Sequence, residues 1–207
     1  MKLIRFCFAI VFIATLTVSA AAQASRIHKE YLKDTKSTKV ETPLLYVMNT
    51  PDLFIEFQLS AIYKGEQLTK PVKTIALTLF SLAKTTQYTA HEMLYATTDG
   101  TRWPIGGGSI LDMKGETKNG TDTYYGPNPY IGMQVPFPAS AKVRNKSGDV
   151  TGLHMEWLTV ELKPEQLTKL AAAQKVSLQL RDKTFELNET HLSILRDYAT
   201  QLTPSQP

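Results

Sequence analysis

His91 and Met93 stand two residues apart in the chain, and so do His154 and Glu156. On an extended strand such pairs share one face. Imidazole with thioether suits copper. Four histidines spread over 207 residues form no tight cluster, so coincidence is the plainer account and no metal site is assigned. A copper carrier built on His91, Met93 and His154 would require the three side chains to converge.

Ser81-Leu82-Ala83-Lys84 has the serine–x–x–lysine spacing of penicillin-binding enzymes. That chemistry needs serine at a helix start with the amine one turn on. Here the four residues end an apolar run that reads as strand, where positions three apart face opposite sides. The companion elements Ser-Asp-Asn and Lys-Thr-Gly are absent from the chain. The triplet Gly106-Gly107-Gly108 lacks the Lys-Ser/Thr that a phosphate loop requires, and reads as a bulge or bend. No nucleophile elbow or dinucleotide fingerprint occurs, so no catalytic residue and no cofactor is assigned.

Asp99, Asp112, Glu116 and Asp122 crowd a turn-rich region. Carboxylate pairs can hydrolyse glycosidic bonds, but such pairs form in space and leave no spacing rule. Aspartate also favours turns by bonding its own backbone, which is the simpler reading.

The segment Tyr124-Tyr125-Gly126-Pro127-Asn128-Pro129-Tyr130 combines three tyrosines with two stiffening prolines. A tyrosine offers a flat apolar face and a hydroxyl, which suits a sugar ring or a protein surface. Tyr124, Tyr125 and Tyr130, with Trp103 as a neighbour, are the ligand-contact candidates. The competing reading folds these rings back over the end of a sheet.

The elements that must position these residues follow from periodicity. Leu53, Ile55, Phe57, Leu59, Ala61 and Tyr63 alternate with Glu56, Gln58 and Ser60, which predicts a strand with one buried face and one wet face. Residues 75–82 are apolar on nearly every position, as in a strand covered on both sides. Further strands are predicted at 44–48, 90–97, 102–105, 109–113, 130–137, 153–162, 176–180 and 184–187. Asp99-Gly100 and Asn119-Gly120 mark tight hairpins. A helix opens at Lys163-Pro164-Glu165 and runs to 173, and a second follows Asn188 as N-cap with a stripe of Leu192, Leu195, Ala199 and Leu202. The fold class is mainly β, an antiparallel sandwich or open barrel with two C-terminal helices. The first helix is long enough to bridge parallel strands, so a mixed sheet and an α+β class are the variant.

Residues 1–24 begin with Lys2 and Arg5, continue through an apolar run from Phe6 to Val18, and end Ala22-Gln23-Ala24. This is the layout of a secretory signal peptide, too short in its apolar part to span a bilayer. Cleavage after Ala24 would remove Cys7, the only cysteine, and leave 21 basic against 19 acidic residues. That balance gives no case for nucleic acid or an anionic membrane as partner. A cysteine-free chain must hold itself by its core, and at this length roughly 70% of the unfolded surface can be buried. Residues 25–42 are polar and read as a flexible N-terminal arm, and 43–207 as one β-rich unit. No further apolar stretch predicts a transmembrane segment. Sequons stand at Asn119, Asn145 and Asn188.

The expectation is a secreted or periplasmic, non-catalytic binding module whose partner is a protein or carbohydrate. The alternatives are a carboxylate hydrolase acting on an envelope polymer and, behind it, the copper carrier.

Overall fold

The computed structural model describes residues 27–89, 91–118, 121–125, 132–133, 141–143, 145 and 148–204, with the backbone alone at 121–123, 125, 132 and 133. The leader read at 1–24 lies outside them. No helix among the described residues is long and apolar enough to cross a membrane.

The chain is mainly antiparallel β with two C-terminal helices. Its strands are β1 (His28–Leu32), β2 (Ser37–Glu41), β3 (Leu45–Asn49), β4 (Leu53–Lys64), β5 (Ile75–Ala83), β6 (Met93–Thr98), β7 (Thr101–Lys118), β8 (Thr121–Tyr125), β9 (Gly132–Met133), β10 (His154–Leu162), β11 (Val176–Leu180) and β12 (Lys183–Leu187). The helices are α1 (Pro164–Ala172) and α2 (Glu189–Gln201). The pairing order is β1-β2-β4-β5-β10-β7-β6-β11-β12. β3 shares an edge of β4 with β2, and β8 and β9 continue from the far half of β7.

Three expectations are corrected. Residues 28–41, read as a loose arm, form the hairpin β1–β2, because Thr38 and Val40 turn inward against Tyr63 and Ala61 of β4. Their polar neighbours had masked the alternation. The predicted strands at 102–105 and 109–113 are one strand of 18 residues. The glycine triplet is the point where β7 changes partner, from β6 at Gly107 to β10 at Gly108. A register shift lies just before it, between Leu94 and Tyr95 of β6. Finally, every ladder among the described residues is antiparallel, so the sheet they form is not mixed. α1 does not cross between parallel neighbours. It carries the chain from β10 to β11, which lies beyond β6 in the pairing order.

Both helices pack on one face of the sheet, its concave face. Leu158, Val160 and Leu162 of β10, Leu77 and Leu79 of β5, Phe57 and Leu59 of β4, and Leu178 and Leu180 of β11 form one cluster with Leu167, Leu170, Leu192, Leu195 and Tyr198 of the helices. Burying each of these side chains contributes about 1.5–3 kcal/mol. The Tyr198 hydroxyl donates to Val40 O at 3.2 Å, tying α2 to β2. Asn188 caps α2 as predicted, its Oδ1 accepting from His191 N at 3.0 Å. The Asp99-Gly100 turn has positive φ at both residues (48° and 86°), the requirement that had flagged it.

Candidate functional site

Register partners on neighbouring strands point to the same face, so the ladders place side chains in files running across the sheet. On the convex face one file reads Tyr46, Glu56, Phe80, Trp157, Leu111 across β3, β4, β5, β10 and β7. On one side of it runs Phe54, Leu82, Met155, Met113, all buried in a second apolar cluster with Val143, Val150 and Leu153. On the other side runs Gln58, Thr78, Thr159, Ser109, where the Thr78 and Thr159 hydroxyls lie 3.2 Å apart. The convex face therefore grades from sealed and apolar, through aromatic, to hydroxylated.

The middle file is where the face opens. Tyr46 is 50% exposed and Leu111 45%. The rings connect edge to face: Tyr46 to Phe54 at 5.7 Å, Phe54 to Phe80 at 6.2 Å, and Phe80 to Trp157 at 5.3 Å with a tilt. Such pairs hold one another in place. A groove of about 490 Å³ lies over this region, lined by Thr78, Ser109, Ile110, Leu111, Met113, Trp157 and Thr159. It offers an apolar floor with hydroxyls along one side, the usual make-up of a small-molecule site.

Glu56 stands within the aromatic file, between Tyr46 and Phe80. It is 5% exposed. Among the described residues its carboxyl has no hydrogen-bond or ion-pair partner, and burial alone pushes its pKa up to about 7. A buried, uncompensated carboxylate is costly, so the group holds its proton well above the usual carboxylate range.

The concave face carries a separate polar group. Ser81, Glu156 and Asp112 are register partners on β5, β10 and β7. Glu156 Oε2 accepts from Gln87 N at 2.6 Å and from Ser81 Oγ at 3.4 Å, and Oε1 accepts from Tyr88 N at 3.3 Å. Burial raises the Glu156 pKa, with the two amides opposing. His154 Nδ1 lies 3.1 Å from Asp112 Oδ1. Downstream, Glu92 pairs with Arg181 at 2.7 Å and accepts from the Thr89 hydroxyl. Burial pushes the Glu92 carboxyl up, but the Thr89 and Arg181 contacts outweigh it and hold the pKa low. Glu156 thus fastens the middle of the loop between β5 and β6, at Gln87 and Tyr88, and Glu92 fastens its β6 end. Both Glu156 oxygens are engaged in that anchoring.

Among the described side chains, the carboxylates of the turn-rich region are not brought together. Asp99 turns to the end of α1 and accepts from Gln174 N and Lys175 N at 3.1 and 2.9 Å. Asp112 faces His154, Glu116 is exposed on β7, and the Asp122 side chain lies outside the described residues. His91 does not share a strand face with Met93, because it occupies the turn before β6 with φ of 62°. Among the described residues no group of three or more His, Cys, Asp or Glu side chains is placed to hold a metal ion. Ser81 is buried on Glu156 while Lys84 is exposed and pairs with Asp52.

Of the predicted contacts, Tyr124 is fully buried in the convex-face cluster. The Tyr125 side chain and all of Tyr130 lie outside the described residues. Trp103 is half-buried, donates from its indole N–H to Thr98 Oγ1 at 3.0 Å, and carries the Lys169 ammonium 4.6 Å above its ring. It lies on the half of β7 that pairs with β6, whereas Tyr124 pairs with Gly115. Twelve residues of strand separate those positions, roughly 40 Å along the extended chain. The structure does not bring Trp103 and Tyr124 together. The sequence reading missed Glu56 and Trp157. A signal for them existed: residues 75–82 are apolar on both faces, so the neighbouring strand's wet face is also covered over part of its length.

No family model matches the chain, and no curated protein or solved structure is significantly similar to it.

Proposed function

We propose that the protein is an exported, non-catalytic binding module that seats the apolar ring or stem of a ligand on the convex face of its sheet. The observation that carries this reading is the groove over Trp157 and Leu111, apolar below and rimmed by the Thr78, Thr159 and Ser109 hydroxyls. Tyr124, the register partner of Gly115 two residues beyond Met113, packs its ring in the buried cluster beside that groove. Export rests on the leader read at 1–24, and a secreted chain beginning at Ser25 would support it.

Calorimetric titration with benzyl alcohol, a ring bearing one hydroxyl, tests the binding reading. The double variant Trp157→Ala with Leu111→Ser should weaken binding about tenfold or more, as loss of an aromatic anchor does. Unchanged affinity in a folded variant overturns the reading.

A hydrolase is the second reading, favoured by the cross-strand pairing of Asp112 with Glu156 beside His154. Release of reducing ends from a cell-wall glycan, lost in Asp112→Asn, would establish it in place of binding.

A further inference from the structure

We infer that the ligand of the convex face carries a positive charge, an organic ammonium whose cationic end is taken by Glu56 among the rings of Tyr46, Phe54 and Phe80; this rests on the binding reading above. Glu56 is nine-tenths buried and without a partner among the described residues, in a file whose other members are apolar or aromatic. A carboxyl in such a place weakens the fold whenever it ionises, so a structural role alone is better served by a neutral side chain. A bound cation removes that cost. The faces of aromatic rings add attraction for an ammonium once water is excluded. The groove over Trp157 begins one strand away, at Thr78 of β5, which neighbours Phe80 on the same face. A ligand with an apolar body in the groove and an ammonium at Glu56 spans both.

Among the described residues no charged side chain serves in place of the ligand. From β2, Glu41 and Lys39 face the same side, but they pair with each other, and Gln58 Nε2 donates to Glu41 Oε1 at 3.3 Å. From β3 the titratable neighbour is the Tyr46 phenol. β5 presents only Thr78, Phe80 and Leu82. Lys142, whose backbone amide donates to Asn49 Oδ1, is exposed. With a pKa near 7, Glu56 is charged above neutrality and uncharged in mild acid, so capture of the cation strengthens as pH rises.

The test uses the full chain, benzyltrimethylammonium, and benzyl alcohol as its uncharged counterpart. At pH 8 the cation should bind about tenfold tighter than the alcohol. That preference should vanish in Glu56→Gln and shrink at pH 5.5. Equal affinity for the two probes at pH 8 overturns the inference and leaves the binding function standing. A preference that survives Glu56→Gln also overturns it, placing the charge at Glu41. If neither probe binds, both readings fall.

Discussion

Gly108 lies directly under Leu158: a Cβ on the glycine would stand 2.3 Å from Leu158 Cδ1 and 2.9 Å from Thr159 O. This is the step at which β7 leaves β6 and takes up β10, so backbone and side chain meet there without room for a methyl. Gly107, one residue earlier, has only ordinary contacts at its Cβ position, the nearest His91 O at 3.5 Å. Gly108→Ala should therefore cost about 1–3 kcal/mol by overpacking, while Gly107→Ala stays within about 1 kcal/mol of the parent. Urea unfolding of the two variants decides it, and equal losses would show that the triplet is not a partner switch.

Glu156 predicts a local effect. Replacing it with alanine leaves the buried amides of Gln87 and Tyr88 without their acceptor, at about 1–3 kcal/mol for groups so stranded. Cleavage by a protease should then appear between residues 84 and 92 before the rest of the chain opens. Global unfolding without a prior cut in that loop would contradict the anchoring role.

Glu56 predicts a pH dependence with a definite sign. Its pKa is about 7 in the folded chain against 4.5 unfolded. Between those values the folded state binds more protons, so stability falls as pH rises from about 4.5 to about 7, and the lost part is absent above that. The full shift corresponds to at most roughly 3–4 kcal/mol. Denaturant midpoints of the parent should drop from pH 5 to pH 8 more than those of Glu56→Gln. Parallel profiles would mean that the carboxyl is solvated.

How much was legible is clearest at β4 and the helices. The alternation from Leu53 to Tyr63 fixes the strand, and Asn188 with the following leucine stripe fixes the last helix, because local spacing alone decides both. The arm predicted at 25–42 differs from the hairpin found at 28–41 because the inward residues, Thr38 and Val40, are few and interleaved with charge. Glu56 was read as wet because period two tells which face a side chain takes, while what covers that face depends on residues far away in sequence. The file Tyr46–Glu56–Phe80–Trp157–Leu111 draws one residue from each of five strands, and no local pattern announces such a file. The tyrosine segment was conspicuous for the opposite reason: its residues are contiguous.

The most direct test of a convex-face binding site is an amide chemical-shift map recorded while benzyl alcohol is added to the folded protein. The account predicts that the shifts gather at Thr78, Ser109, Leu111, Trp157 and Thr159 and leave the surroundings of Trp103 unmoved. Shifts centred on Trp103 or on the Asp112–His154 pair, or no shifts at all at millimolar probe, would contradict it.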